Sequence, residues 1–341
     1  RLTPREGSST GGTCAAAIVL KYCRVQMLDV LRSGIFRNLE NYRSQKEVFD
    51  MRFQPNFRRI AAIHDLSGIG RTSLMAVIPI LSTMGFNVCP LPTAILSNHS
   101  QYPDFSFLDL TEEMPKIIDQ WEKLGVNFDA IYTGYMGSPR QIEIVCGFIE
   151  RFRRDETLVV VDPVLGDNGH LYSKMTQEMV EQMRRLARRA DVLTPNLTEA
   201  FALLARPYKT DCTTEELKDL IAELSEMGPD TVIITGVPVP GQSGLTSVIA
   251  RSKSDLRTWK VTCPYLPAHY PGTGDSFTSV ITGSLLQGDS LPIALDRAAQ
   301  FILQGIRSTF GYKMDNRDGI LLERVLPNLN TPIQAATYEL I

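Results

Sequence analysis

Neither sign of charge is in surplus: 35 lysines and arginines face 38 aspartates and glutamates, a net charge of −3 over 341 residues. That balance offers no broad basic surface to nucleic acid or to an anionic membrane, and it suits small polar ligands better. Histidine is scarce, with four in all, and the six cysteines (Cys14, Cys23, Cys89, Cys146, Cys212, Cys263) form no C-x-x-C pair and have no histidine pair beside them. This spacing argues against zinc and against a disulfide framework, and for reduced thiols in a cytoplasmic protein. No apolar run approaches the length of about 20 residues that spans a bilayer. The stretch "CAAAIVLKYC" (14–23) has the shape of a short signal core, but charged residues come after it and no clear small-residue cleavage site does.

The residues present divide into two parts. Residues 1–55 read as an N-terminal extension: the chain opens on Arg1, "RLTPREGSSTGGT" has linker-like composition, and Met51 is a plausible start for the domain beyond it. From 56 to 341 the pattern is that of one domain, in which short β-branched runs alternate with helix-length amphipathic segments. The runs are "RRIAAIHD" (58–65), "NVCPLPT" (87–93), "FDAIYTG" (128–134), "TLVVVDP" (157–163), "DVLTP" (191–195) and "DTVIITG" (230–236). Helices are expected over about 71–84, 111–124, 138–154, 175–189, 196–205, 214–227, 275–287 and 291–308, with "LTSVIARS" and "RTWKVTCP" as a late hairpin at a sheet edge. Such alternation is the pattern of an α/β fold, a largely parallel sheet with helices on both faces.

Polar residues collect where those strands end: His64 and Asp65, Thr133 and Tyr135, Asp162, Asn196, Thr235. In open α/β sheets ligands bind outside the carboxyl ends of the strands, so these positions converge on one edge. There "HYPGTGDSFTSVIT" (269–282) puts Asp275 between a glycine turn and a helix. Asp275 either caps that helix or acts as a base beside an anion held by the backbone of Gly272, Thr273 and Gly274. "VVVDPVLGD" offers Asp162 and Asp167, turn formers or the oxygen ligands that Mg²⁺ needs beside phosphates. In "LTPNLTEA", Asn196 and Glu199 have capping spacing, and Glu199 could instead hold metal-bound water. "HDLSGIG" lacks the full dinucleotide fingerprint, and His99 in "SNHSQY" reads as a hydrogen-bonded loop residue or a general base.

Taken together and in order, "SNHSQY", "YTGYMG", "VVVDPVLGD", "LTPNLTEA", "MGPDTVIITG" and "PGTGD" resemble the pyridoxal kinases of the ribokinase-like (PfkB) superfamily, over about 58–310. The resemblance implies a three-layer α/β/α fold with a central, mostly parallel sheet and no separate lid domain. It implies ATP-dependent phosphorylation of the 5′-hydroxymethyl group of pyridoxal, pyridoxine or pyridoxamine, with Mg²⁺, a monovalent cation such as K⁺ as an open option, and a homodimer. By position Asp275 matches the catalytic base and Gly272, Thr273 and Gly274 the anion hole. Asp162, Asn196, Glu199 and Thr235 match the nucleotide side, and Asp162, Asp167 and Glu199 the metal side. Ser100, Gln101 and Tyr135 match contacts to the vitamer ring. Asp65 stands where these kinases usually carry Ser, so it either faces the ring nitrogen or caps the glycine turn at 68–70. The neighbouring alternatives are a hydroxymethylpyrimidine kinase of the same superfamily and, from another class, a non-catalytic vitamin-binding protein.

Overall fold

The computed structural model describes residues 58–331 and 337–341; the expectations for the extension and for Cys14 and Cys23 lie outside the described residues. The strands are β1 (Arg59–Ser67), β2 (Asn87–Leu96), β3 (Phe107–Asp109), β4 (Ala130–Thr133), β5 (Leu158–Val161), β6 (Gly166–Asp167), β7 (His170–Leu171), β8 (Val192–Leu193), β9 (Thr231–Pro238), β10 (Leu245–Ser252), β11 (Thr258–Pro264) and β12 (Tyr338–Leu340). The helices are α1 (Leu74–Thr83), α2 (Met114–Lys123), α3 (Pro139–Phe152), α4 (Gln177–Ala187), α5 (Leu197–Leu203), α6 (Thr214–Glu226), α7 (Thr273–Gln287), α8 (Leu291–Phe310) and α9 (Leu322–Val325).

Ten strands form one sheet in the order β12-β11-β10-β9-β8-β5-β4-β1-β2-β3. From β2 to β9 every pairing is parallel, and antiparallel strands flank that block on both sides. The parallel strands read as unbroken apolar runs because both faces are covered. Alternation along each strand then divides the core in two. Ala61, Ile63, Val159, Val161, Val232 and Ile234 pack with α2 to α6 on one face. Ile60, Ala62, Val160 and Ile233 pack with α1, α7, α8 and α9 on the other. This is the three-layer α/β/α arrangement expected, and it brings every loop after a parallel strand to one edge.

Helix starts follow local chemistry. Ser138 accepts from the Gln141 N–H ahead of Pro139, and Thr213 with Glu216 forms a full capping box. The α1 helix begins later than expected, at Leu74, because Ser73 holds a positive φ of 50° and keeps the preceding residues in a turn. The late hairpin forms as β10 and β11, but it is not the edge: β12 pairs outside β11. Strands as short as β3, β6, β7 and β12 have too few residues to display a period, so they could not be read beforehand. None of the described helices is long and apolar enough to cross a membrane, and the four described cysteines are free.

Candidate active site

Gly272 caps α7 in the left-handed region, φ 81°, a conformation only glycine adopts without strain. A Cβ there would lie 2.0 Å from the Arg71 carbonyl oxygen, so the turn is wedged against the one that precedes α1. The opening N–H groups of a helix have no carbonyl partner within it. In front of Gly274 the space is open, the nearest atom to a Cβ there being Asp162 Oδ2 at 4.0 Å. Free N–H groups at a helix start with room before them are what an anion site requires.

Asp275 does not cap its own helix, so that reading is corrected. Its Oδ2 accepts from the Ser73 N–H at 2.8 Å, across 202 residues of sequence. Its Oδ1 lies 3.7 Å from His64 Nδ1 and its side chain keeps 15 % exposure, enough for a substrate hydroxyl to reach it. Ser73, strained at φ 50° and ψ −133°, joins two acids, because its hydroxyl donates to Asp65 Oδ1 at 2.5 Å. Ser67 donates to the other Asp65 oxygen at 3.1 Å. Asp65 therefore bridges two serine hydroxyls on either side of the glycine turn and caps none of its N–H groups, which corrects the cap reading. Burial raises the Asp65 carboxyl and Asp275 adds to the rise, while the two serines oppose it.

Tyr135, half-buried, follows β4 close enough to Asp65 for that charge to reinforce the rise that burial gives its phenol. Ser100 and Gln101 are exposed at the rim, and Gln101 Nε2 lies 3.3 Å from His269 Nε2, just ahead of the glycine turn. His99 is the hydrogen-bonded loop residue of the two readings: it is buried, with Nε2 2.6 Å from the Arg317 carbonyl. The vitamer-side and phosphate-side candidates thus line one edge, from β2 to β9.

On the phosphate side, Asn196 and Glu199 form a reciprocal capping box at the start of α5. Glu199 also accepts from the Leu165 N–H at 3.0 Å, and Asn196 Nδ2 donates to the Gly166 carbonyl at 2.7 Å. Thr235, on β9, stands beside Asn196 through an isolated parallel bridge to the cap of α5. Asp167 is turned back on its own hairpin and accepts from Asn168 through both oxygens. Asp162 is buried, and none of the described residues donates a hydrogen bond to its carboxylate. Burial pushes Asp162 well above the usual carboxylate range, with the charges of Glu199 and Asp275 adding to it. Glu199 is pushed up to about 8 by burial, against the pull of its backbone donors.

Among the described residues no group of three or more His, Cys, Asp or Glu forms a ready metal cage. Backbone N–H groups of Leu165 and Asn196 engage the two Glu199 oxygens, and the backbone and side-chain N–H groups of Asn168 engage those of Asp167. The donor chemistry still fits Mg²⁺: the ion keeps most of its waters and needs only one or two carboxylates beside phosphate oxygens. Asp162, an acid without a donor beside further negative charge, is the residue such an ion would relieve.

Three contributors escaped the sequence reading. Ser73 gives a backbone N–H, which no residue type advertises. Gln141, fully buried, donates to the Thr93 carbonyl and Thr111 hydroxyl and accepts from Gly137, and Thr93 in turn donates to the Tyr135 carbonyl, fixing the loop after β4. The turn at 315–319 holds the 97–102 loop: Tyr102 donates to Asp318 at 2.6 Å and Arg317 lies over the Tyr102 ring. That hydrogen bond pushes the Tyr102 hydroxyl up to about 12.

Comparison with known proteins agrees with this geometry. The family model described as phosphomethylpyrimidine kinase matches residues 108–318. The chain is similar to a Bacteroides thetaiotaomicron protein solved under the description phosphomethylpyrimidine kinase in an orthorhombic form with pyridoxal: 68 % identity, TM-score 0.82, 84 % of this chain and 100 % of that one. It is similar to the crystal structure of pyridoxal kinase from Lactobacillus plantarum, at 31 % identity and TM-score 0.74, over 80 % of this chain and 96 % of that one. It also resembles the pyridoxal kinase of Arabidopsis thaliana, 29 % identical over 262 residues, 74 % of this chain and 81 % of that protein.

Proposed function

We propose that this chain, which belongs to the phosphomethylpyrimidine kinase family within the ribokinase-like (PfkB) superfamily, is a pyridoxal kinase. It transfers the γ-phosphoryl group of ATP to the 5′-hydroxymethyl group of pyridoxal, pyridoxine or pyridoxamine. The observation that carries the reading is Asp275, its Oδ2 held by the Ser73 N–H and its side chain still 15 % exposed beside the glycine turn. A non-catalytic binding protein has no use for an acid so placed.

In this reading Asp275 accepts the hydroxyl proton as the substrate oxygen attacks phosphorus, and the first N–H groups of α7, at Thr273 and Gly274, receive the charge on the transferred oxygens. Asn196 and Thr235 line the nucleotide side, with Glu199 setting the Asn196 loop from behind. Mg²⁺, carried in with ATP, would be held by Asp162, with Glu199 and Asp167 reached through water, and would neutralise phosphate charge. Gln101, Ser100 and Tyr135 contact the vitamer ring. A monovalent cation, a homodimer and a cytoplasmic setting are what the family leads us to expect.

Asp65 tunes selectivity in this scheme. Through the lone pairs that Ser67 and Ser73 leave free, its carboxylate would favour a protonated ring nitrogen by a charge-assisted hydrogen bond, roughly twice as strong as a neutral one. Asp65→Ser is expected to raise KM for pyridoxamine or pyridoxine, leave KM for ATP unchanged and flatten the pH dependence of vitamer binding. An unchanged vitamer KM with a lowered melting temperature would instead make Asp65 a purely structural anchor for Ser67 and Ser73.

The 68 % identical neighbour and the family model both carry a pyrimidine description, so hydroxymethylpyrimidine is the second substrate to test. Pyridoxal in that neighbour's crystal favours the vitamer. Incubation with ATP, Mg²⁺ and each vitamer or hydroxymethylpyrimidine separates them: vitamer phosphate is the expected product, and faster turnover of the pyrimidine would reverse the assignment.

A further inference from the structure

His64 is fully buried on β1, yet neither of its ring nitrogens has a hydrogen-bond partner. Buried polar side chains are rarely left so. The nearby acids are Asp65, whose two oxygens are already taken by Ser67 and Ser73, and Asp275, whose Oδ1 lies 3.7 Å from His64 Nδ1. Asp65 already accepts one serine hydroxyl at each oxygen, whereas Asp275 Oδ1 accepts none from the described residues. The surroundings hold the ring against that oxygen. Tyr132 meets it edge-on at 4.4 Å and 77°, and the same tyrosine donates to the Asp275 backbone carbonyl at 3.2 Å. On another side a Cβ at Gly134 would stand 2.2 Å from His64 Nδ1 and 2.5 Å from Cε1, so that position leaves room for the imidazole only as glycine.

We propose that His64 is a positioning residue for Asp275, donating from a neutral Nδ1–H to Oδ1 in the substrate complex. The inference rests on the reading of Asp275 as the base. Closing the 3.7 Å separation to a hydrogen bond of about 2.9 Å takes a shift of under about an ångström. With Oδ2 held by the Ser73 N–H and Oδ1 by His64, both ends of the carboxylate are fixed. The other lone pair of Oδ1 faces the substrate. The hydroxyl proton goes to Asp275, and the imidazole keeps its own proton throughout.

The test uses the full chain, labelled with ¹⁵N-histidine. With four histidines in the sequence the ring signals can be assigned by substitution. With pyridoxal and a non-hydrolysable ATP analogue bound, His64 is expected as the Nδ1–H tautomer, its ring shifts moving in Asp275→Asn; an Nε2–H tautomer, or shifts indifferent to Asp275, overturns the proposal. In kinetics, His64→Leu is expected to lower kcat about 10- to 100-fold, with KM for ATP and vitamer within about twofold, because misplacing a reacting group acts on turnover. His64→Asn, which retains a neutral N–H donor, is expected to recover most of the loss. Wild-type kcat in a folded His64→Leu, a loss confined to KM, or an asparagine variant as poor as the leucine one would each overturn it. If the leucine variant does not fold, the wild-type ring signature decides. Failure of the wild type to phosphorylate any vitamer would refute the kinase reading instead, and the ring signature would still report the His64–Asp275 contact.

Discussion

Asp275→Asn is expected to lower kcat on the order of a thousandfold or more while leaving the affinities for ATP and vitamer close to those of the wild type. The asparagine side chain has nearly the same shape, and its amide oxygen can still accept from the Ser73 N–H that now holds Oδ2 at 2.8 Å. Position is therefore retained and basicity is lost, which isolates the proton transfer; a positioned general base contributes about 10²–10⁴-fold. Single-turnover rates and nucleotide binding measured on the same preparation separate chemistry from binding. Near-wild-type kcat would remove Asp275 from the chemistry altogether.

Gly272→Ala is expected to lose more than about a hundredfold in activity and to melt well below the wild type. Two costs combine there. The backbone is at φ 81°, and the new methyl group would meet the Arg71 carbonyl oxygen at 2.0 Å and the Thr72 Cα at 3.0 Å. Both neighbours are main chain, and Arg71 is itself tied by its N–H to the Asp318 carbonyl at 3.2 Å, so neither can yield cheaply. Left-handed strain plus a forced shift costs about 3 kcal/mol, a fall of roughly 5 °C for a domain of this size. Gly288→Ala is the matched control: φ is 92°, but nothing stands within 4 Å of its Cβ. It should show the conformational cost alone, about 1 kcal/mol, with full kcat. Equal behaviour of the two variants would mean that the contact with Arg71 does not shape the loop.

The contrast between those two glycines also marks the boundary of what a sequence reveals. Strand and helix identity was readable because it is local: the alternation of Ile60, Ala61, Ala62 and Ile63 already assigns two buried faces. The glycine turn, Asp275 and Asp162 were readable as candidates because they fall together at the carboxyl ends of the parallel strands, although each alone also suits a cap or a turn. Their partners were not. The Ser73 N–H that orients Asp275 is 202 residues away, and a backbone group leaves no mark in the residue alphabet. Glu199 and Asp167 match a metal pattern by position, and that pattern does not show the donors that engage them, the Leu165 and Asn196 N–H groups for Glu199 and Asn168 for Asp167. His64 was visible only as a polar residue at the end of β1; its role depends on the bare ring nitrogens and on the space kept free at Gly134.

The contact between the 97–102 loop and the turn at 315–319 has a consequence for the order of events during synthesis. Tyr102 and Asp318 are 216 residues apart, and His99 and Arg317 are 218. At about 5–20 residues per second a ribosome needs roughly 10–40 s to bridge that gap. Through that interval β1, β2 and β4 are already synthesised, while the 97–102 loop lacks the segment that anchors it. Arg71, which borders the glycine turn, waits for the same segment, since its guanidinium donates to the Asp318 carbonyl at 3.0 Å and pairs with Glu323. The 97–102 loop and Arg71 thus gain these contacts only once the turn at 315–319 has emerged, and a chain cut short before Asp315 would have none of them.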